Sequence, residues 1–201
     1  MRTIGLDFDD TLIPMRHAVS QEMNRLYGTD LNSETCPEFH VSRNWNYSDE
    51  TFMAWFAKYE TILHEYAPYE ELKETLNEWA KVAKLVVITA RPECQIASAK
   101  NWVKRHGLPI AEVISAPGNP TKAEAACAHG VDLFVEDHPK HATRLADAGI
   151  KVLLLNKAYN GDCCHERVTR VKDWTEIRKM SVNAFLPQSH RGTEKDTEKR
   201  S

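Results

Sequence analysis

The stretch "TIGLDFDDT", residues 3–11, joins an apolar alternation to a crowd of carboxylates. Ile4, Leu6 and Phe8 share one parity while Gly5 and Asp7 take the other, the pattern of a strand packed on both faces near its end. Asp7 and Asp9 then project to the same side where the strand stops, with Asp10 beside them. Like charges this close raise one another's pKa and oppose folding, so the arrangement calls for a cation or a shared proton to offset the repulsion.

Outward from this strand the chain changes rhythm twice. Residues 16–28, "RHAVSQEMNRLYG", read as a helix with Ala18, Val19, Met23 and Leu26 on its apolar face and Gly28 closing it. No convincing strand follows before Tyr69. An amphipathic helix is expected there, with Ser48 as its N-cap, Phe52, Trp55, Phe56 and Tyr59 at spacings of three and four, and Pro68 near its break. Beyond residue 70 a helix and strand alternate four times: "EELKETLNEWAKV" with "KLVVITA", "PECQIASAKNWVKRHG" with "PIAEVIS", "TKAEAACAHG" with "VDLFVED", and "PKHATRLADAG" with "IKVLLLN". Such alternation predicts an α/β fold with a mostly parallel sheet covered on both faces. The first strand joins that sheet, so residues 1–13 and 70–180 form the expected core and residues 14–69 a helical cap inserted after it. Residues 156–170 read as a long polar loop, and residues 186–201 as a solvated tail.

Composition narrows the function classes. Of 201 residues, 42% are apolar and 27% charged, an ordinary balance for a soluble enzyme or binding domain. A formal charge of −3 gives no global basic field of the kind that binding to an extended nucleic acid requires. No apolar run reaches the roughly 18 residues of a membrane span. The five cysteines lack a paired ligand spacing and read as reduced thiols of a cytoplasmic protein, and Cys163 and Cys164 beside His165 lack a fourth ligand.

Parallel sheets bind ligands at the carboxyl ends of their strands. Four such ends here carry groups suited to phosphoryl chemistry: Asp7, Asp9 and Asp10 after the first strand, Thr89 and Arg91 after the second, Thr121 and Lys122 after the third, and Glu136 and Asp137 at the fourth. His138 and His141 fall near the same mouth, where all-carboxylate chemistry has no need of imidazole ligands.

These residues, in this order, resemble the signatures of the haloacid dehalogenase superfamily of phosphatases: Asp7-Phe8-Asp9-Asp10-Thr11, the strand ending in Thr89, Lys122, and the acidic pair Glu136-Asp137 where Asp-Asp is frequent. The resemblance implies a Rossmann-like core and an aspartyl-phosphate route. Asp7 would be the nucleophile and Asp9 the acid and base. Thr89 and Lys122 would hold phosphoryl oxygens, with Arg91 a further candidate, and Thr11 would fix the loop. It further implies Mg²⁺ on Asp7, the backbone carbonyl of Asp9 and Asp137, with Glu136 a candidate for orienting a bound water.

The position of the inserted cap and the sequence of residues 135–160 resemble the deoxyribonucleotidase branch, which implies a nucleoside monophosphate, especially a deoxyribonucleoside form, as substrate. Trp45 and Tyr47, in the polar segment "SRNWNYSD", are the candidates for stacking on the base. A phosphatase for another small phosphomonoester, a polynucleotide 3′-phosphatase and a noncatalytic nucleotide-binding protein are the alternatives.

Overall fold

The computed structural model describes residues 2–39, 43, 47–63 and 65–180. Trp45 and the expected tail at 186–201 lie outside the described residues. Six strands form one sheet: β1 (Arg2–Leu6), β2 (Ala83–Thr89), β3 (Glu112–Ser115), β4 (Val131–Glu136), β5 (Lys151–Leu155) and β6 (Val168–Val171). Their spatial order is β3-β2-β1-β4-β5-β6, and every neighbouring pair is parallel. The chain builds one flank from β1 through β3 and then returns to the other side of β1. That reversal opens a crevice at the carboxyl ends of β1 and β4.

Period-two alternation divides the core between the faces. Leu85 and Val87 of β2, Leu133 and Val135 of β4, and Leu153 and Leu155 of β5 join Ile4, Leu6 and Phe8 in one buried cluster. Val86, Ile88, Phe134, Val152 and Leu154 point the opposite way into a second. Helices α3 (Leu72–Trp79), α4 (Ile96–Arg105) and α7 (Trp174–Lys179) cover the first face, while α5 (Lys122–Ala128) and α6 (Pro139–Asp147) cover the second with small residues such as Ala126 and Ala142. Gly5 is required by that packing: a Cβ there would stand 2.4 Å from Cδ2 of Phe134.

Between β1 and α3 run α1 (Met15–Tyr27) and α2 (Asp49–Leu63). Ser48 caps α2 by accepting from the Thr51 N–H at 3.1 Å, as its sequence position predicts. Met15, Val19 and Met23 of α1 and Trp55 and Phe56 of α2 pack into the same cluster as β1. One element departs from the sequence reading. The end of the expected polar loop at 156–170 enters β6, which pairs with β5 from Val152–Val168 to Leu155–Val171. Its "VTRV" is an edge strand with only Val171 fully buried, too short and too polar to announce itself.

Candidate active site

The loop after β1 is tightly wound. Asp7 continues the ladder by donating its N–H to the Val135 carbonyl at 2.9 Å, which fixes its side chain beside the end of β4. Asp10 adopts a left-handed φ of 55° and accepts the Arg16 N–H at 2.8 Å, so it joins the loop to the start of α1. Burial, then the charge of Asp137, pushes Asp10 up to about 8. Its role here is to shape the loop.

Lys122 opens α5, where Thr121 and Glu124 form a reciprocal capping box. Its side chain is 2% exposed, and its ammonium lies 2.8 Å from Asp7 Oδ1 and 2.9 Å from Glu136 Oε2. Burial alone would raise Asp7 and lower Lys122; their mutual attraction reverses both, holding the carboxylate below and the ammonium above its usual range. Glu136, fully buried, is pushed by burial and by Asp7 up to about 7 despite Lys122. Asp137 is raised by burial and by Glu136 and Asp7.

Asp7, Glu136 and Asp137 offer carboxylate oxygens that all lie within 4.8 Å of one another. Three carboxylates against the Lys122 ammonium leave two negative charges when all are ionised. An all-oxygen, buried set with that imbalance fits a hard divalent cation such as Mg²⁺. Asp137 is braced for such a task. Its carboxylate accepts from Thr11 Oγ1 at 3.3 Å and from the Tyr159 hydroxyl, and its backbone carbonyl accepts from Asn160 Nδ2 at 2.8 Å. Glu136 Oε1 in turn accepts the His138 N–H at 3.0 Å, so it faces the backbone and Lys122 rather than the open cavity.

A cavity of about 380 Å³ opens above these groups. Asp7, Asp9, Thr89, Arg91, Lys122 and Asp137 supply polar lining. Met15, Val19, Phe52, Met53 and Phe56 supply apolar lining. His138 and His141 complete the wall, their rings 4.7 Å apart. Burial and the nearby Lys122 lower both to about 4, so they are neutral near pH 7. Thus the structure gathers the sequence-predicted Asp7, Asp9, Thr89, Arg91, Lys122 and Asp137 into one site. It does not bring Tyr47 there. That ring packs edge-on against Tyr27 at 5.9 Å, hydroxyl to hydroxyl.

Three supporting residues escaped the sequence reading. Tyr159 and Asn160 come from the polar loop before β6, where only the Asn-Gly pair at 160–161 signalled a turn. Arg16 donates to the backbone carbonyls of Cys36, Glu38 and Phe39, which tethers the segment after α1 across the mouth. A buried arginine serving carbonyls has no sequence signature of its own.

Residues 1–186 match the model of the family described as 5′ nucleotidase, deoxy (pyrimidine), cytosolic type C protein. The chain belongs to this family. It is 27% identical to "Putative nucleotidase BH1399" of Halalkalibacterium halodurans over 190 residues, 94% of this chain and 96% of that one. It is 29% identical to "Putative nucleotidase YqfW" of Bacillus subtilis over 185 residues, 91% and 95% of the two chains. In fold it resembles a haloacid dehalogenase-like hydrolase of Streptococcus pneumoniae, with a TM-score of 0.64 at 16% identity over 88% of this chain and 96% of that one. A Bacillus subtilis hydrolase of that superfamily, YfnB, solved with bound magnesium, gives a TM-score of 0.60 at 11% identity and the same coverage. The family member described here is accordingly a phosphatase that shares the fold of the haloacid dehalogenase-like hydrolases, with Asp7, Glu136 and Asp137 gathered in one carboxylate cluster. Among its described residues no helix is long and apolar enough to cross a membrane.

Proposed function

We propose that the protein hydrolyses nucleoside monophosphates, deoxyribonucleoside forms foremost, through an aspartyl-phosphate on Asp7. The observation that carries this reading is the mixed lining of the cavity. Its Asp7, Thr89 and Lys122 suit a phosphate, and its Phe52, Met53 and Phe56 suit a flat base. The base platform then comes from α2 itself, from residues whose spacing alone reads as core. Membership of a deoxynucleotidase family supports the same substrate class. In this reading residues 14–69 act as a cap over the core of residues 1–13 and 70–180.

An oxygen of the Asp7 carboxylate attacks phosphorus. The ester P–O bond breaks, its electron pair passes to the leaving oxygen, and that oxygen takes a proton from Asp9. Asp9 then accepts a proton from a water whose oxygen attacks the acyl phosphate, and the electron pair of the broken bond returns to Asp7. Lys122 and the Thr89 hydroxyl hold the phosphoryl oxygens throughout. Lys122 sits 2.8 Å from Asp7 and also keeps the nucleophile ionised. Asp7, Asp137 and the backbone carbonyl of Asp9 would hold Mg²⁺, with Glu136 acting through Lys122 and the backbone at its back. When bound, Mg²⁺ neutralises charge on the phosphoryl group and its carboxylate neighbours.

Initial rates on deoxyribonucleotides, ribonucleotides, sugar phosphates and p-nitrophenyl phosphate, with Mg²⁺ and with a chelator, test the proposal. Mg²⁺-dependent turnover that favours deoxyribonucleotides is expected. Faster hydrolysis of a sugar phosphate than of any nucleotide would overturn the substrate assignment. Asp7→Asn that folds and keeps near wild-type activity would overturn the covalent route.

A further inference from the structure

His138 stands between Asp137 and α6, and its ring serves that helix first. As the N-cap of α6, its Nδ1 accepts the Lys140 N–H at 3.1 Å. A backbone N–H can only donate, so Nδ1 offers its lone pair and carries no proton. Burial and Lys122 keep the ring neutral near pH 7, and a neutral imidazole has a single N–H. That N–H is therefore on Nε2. The two nitrogens flank Cε1, so with Nδ1 turned to the start of α6, Nε2 looks away from it. Among the described residues nothing accepts from Nε2, and the buried side-chain atoms without a partner lie elsewhere, at Ser33, Trp55 and His106. His138 lines the cavity, so its N–H opens there. The ring is also held in place. Phe39 packs edge-on against it with centroids 4.2 Å apart, His141 lies 4.7 Å away, and the backbone N–H of His138 donates to Glu136 Oε1 at 3.0 Å.

We propose that His138 is a specificity-determining residue whose Nε2–H, aimed by the capping bond of Nδ1, donates to a sugar oxygen of the bound nucleoside monophosphate. The phosphoryl oxygens have Lys122 and Thr89, and the base has the aromatic lining. The sugar joins the two and carries acceptors of its own, a ring oxygen and a hydroxyl. His138 follows Asp137 of the carboxylate cluster in the chain and lies against Phe39, another lining residue, so it belongs to the stretch of wall between the phosphate-binding groups and the inserted segment. A small ester has no oxygen to meet it there. A donor in a cavity selects by the penalty for leaving it unmatched, and a ring pinned on three sides has little entropy left to lose when it binds.

The inference rests on the reading of nucleotides as substrates, and the wild type alone tests that reading: turnover of methyl phosphate as efficient as that of any nucleotide would sink it before a variant is compared. Two variants separate the two uses of the ring. His138→Asn offers Oδ1 to the Lys140 N–H, as Asn does at many N-caps, but reaches no further. His138→Gln puts an amide N–H near the place of Nε2 and gives up the good cap. kcat/KM is measured on a deoxyribonucleoside 5′-monophosphate, on its 2′,3′-dideoxy analogue and on methyl phosphate, with thermal melts alongside. His138→Asn should melt like the wild type and lose about three- to tenfold more on the nucleotide than on methyl phosphate, the worth of one neutral hydrogen bond. His138→Gln should melt lower and recover most of the nucleotide preference. An extra loss that vanishes on the dideoxy substrate assigns the bond to the 3′-hydroxyl, and one that persists assigns it to the ring oxygen. A folded His138→Asn that keeps the wild-type preference, or loses equally on nucleotide and methyl phosphate, would overturn the proposal, because the ring would then serve only α6 and Asp137. A folded His138→Gln no more selective than His138→Asn would overturn it as well. Should His138→Gln not fold, His138→Asn on the three substrates decides.

Discussion

Trp174 Nε1 donates to the carbonyl of Thr11 across 2.8 Å, so α7 reaches the loop that carries Asp9 and Asp10. Both partners are buried, Trp174 at 2% and Thr11 at 0% exposure. A short loop holding three carboxylates resists its own charge repulsion only if its backbone is fixed from outside, and this bond is one of the fixings. Trp174→Phe retains most of the ring and removes the donor, leaving a buried carbonyl unpaired. The expected loss is about 1–3 kcal/mol in a urea melt, with a lower kcat from a loosened loop. A variant of unchanged stability and rate would show that the loop holds its shape without the bond.

The buried carboxylates predict how pH acts on the metal-free protein. Burial and Asp7 raise Glu136 from 4.5 to about 7, and burial and Asp137 raise Asp10 from 3.8 to about 8. An acid raised in the fold contributes stability that is full below its unfolded pKa and lost as pH rises through the folded one. Below pH 6.5 His138 and His141, lowered from 6.5 to about 4, act in the opposite sense, so thermal midpoints in chelator should fall chiefly as pH climbs from about 6.5 to 8. Mg²⁺ favours the ionised carboxylates, so it should flatten the slope, bind more tightly as pH rises and release protons on binding. Calorimetry in two buffers of different ionisation enthalpy measures that release. A metal affinity independent of pH across this range would contradict the account.

Lys122 places its ammonium between two of those carboxylates. Lys122→Met should abolish turnover and cost about 3–5 kcal/mol, the usual penalty for stripping a buried charge of its partner. Because the penalty is electrostatic, it should shrink at low pH, where Glu136 and Asp137 bind protons, and shrink again in Mg²⁺. A deficit constant with pH would point to lost packing of the lysine stem instead.

How much of this was legible beforehand depended on which physical signal each residue left. Ile4, Leu6 and Phe8 share a face because strand parity admits no other arrangement, and the four strand ends delivered Asp7, Thr89, Lys122 and Asp137 to one crevice because a parallel sheet places all its carboxyl ends together. Side-chain direction on a helix was harder to read. Phe52 and Phe56 fit an inward stripe, yet they pack on the core and also line the cavity. The polar setting of Tyr47 suggested an open ring, but Tyr27 lies within reach to cover it. The partners of Arg91 could not be read at all. Asp9 is 82 residues away and Glu60 is 31, and no local pattern links them.

Gly5 offers a test of the sheet packing apart from the chemistry. A methyl group there would meet the Phe134 ring at 2.4 Å, well inside van der Waals contact, and Phe134 is wholly buried with no room to retreat. Gly5→Ala should destabilise by about 1–3 kcal/mol, as overpacking does. Pairing it with Phe134→Leu, which clears space, should recover part of the loss. Simple additivity of the two changes would mean that the strand shifts to accept the methyl.

The mixed lining of the cavity predicts where substrate preference resides. Phe52 is partly buried on α2, stacks on Trp55 with centroids 5.8 Å apart and contributes to the apolar lining of the cavity. It can touch a base without touching the reacting phosphorus. Phe52→Ala should therefore reduce kcat/KM for a deoxyribonucleotide while sparing a small ester that has no base, such as methyl phosphate. A base–aromatic contact is worth about 1–3 kcal/mol, which is roughly a tenfold loss of specificity near the lower end. Tyr47→Ala, at a ring engaged with Tyr27 outside the cavity lining, should leave that ratio unchanged. The two variants thus separate an aromatic that meets the base from one that supports the segment before α2. Equal losses of Phe52→Ala on nucleotide and methyl phosphate would assign the ring to packing, and a larger change of the ratio in Tyr47→Ala than in Phe52→Ala would move the base platform to the segment that holds Tyr47.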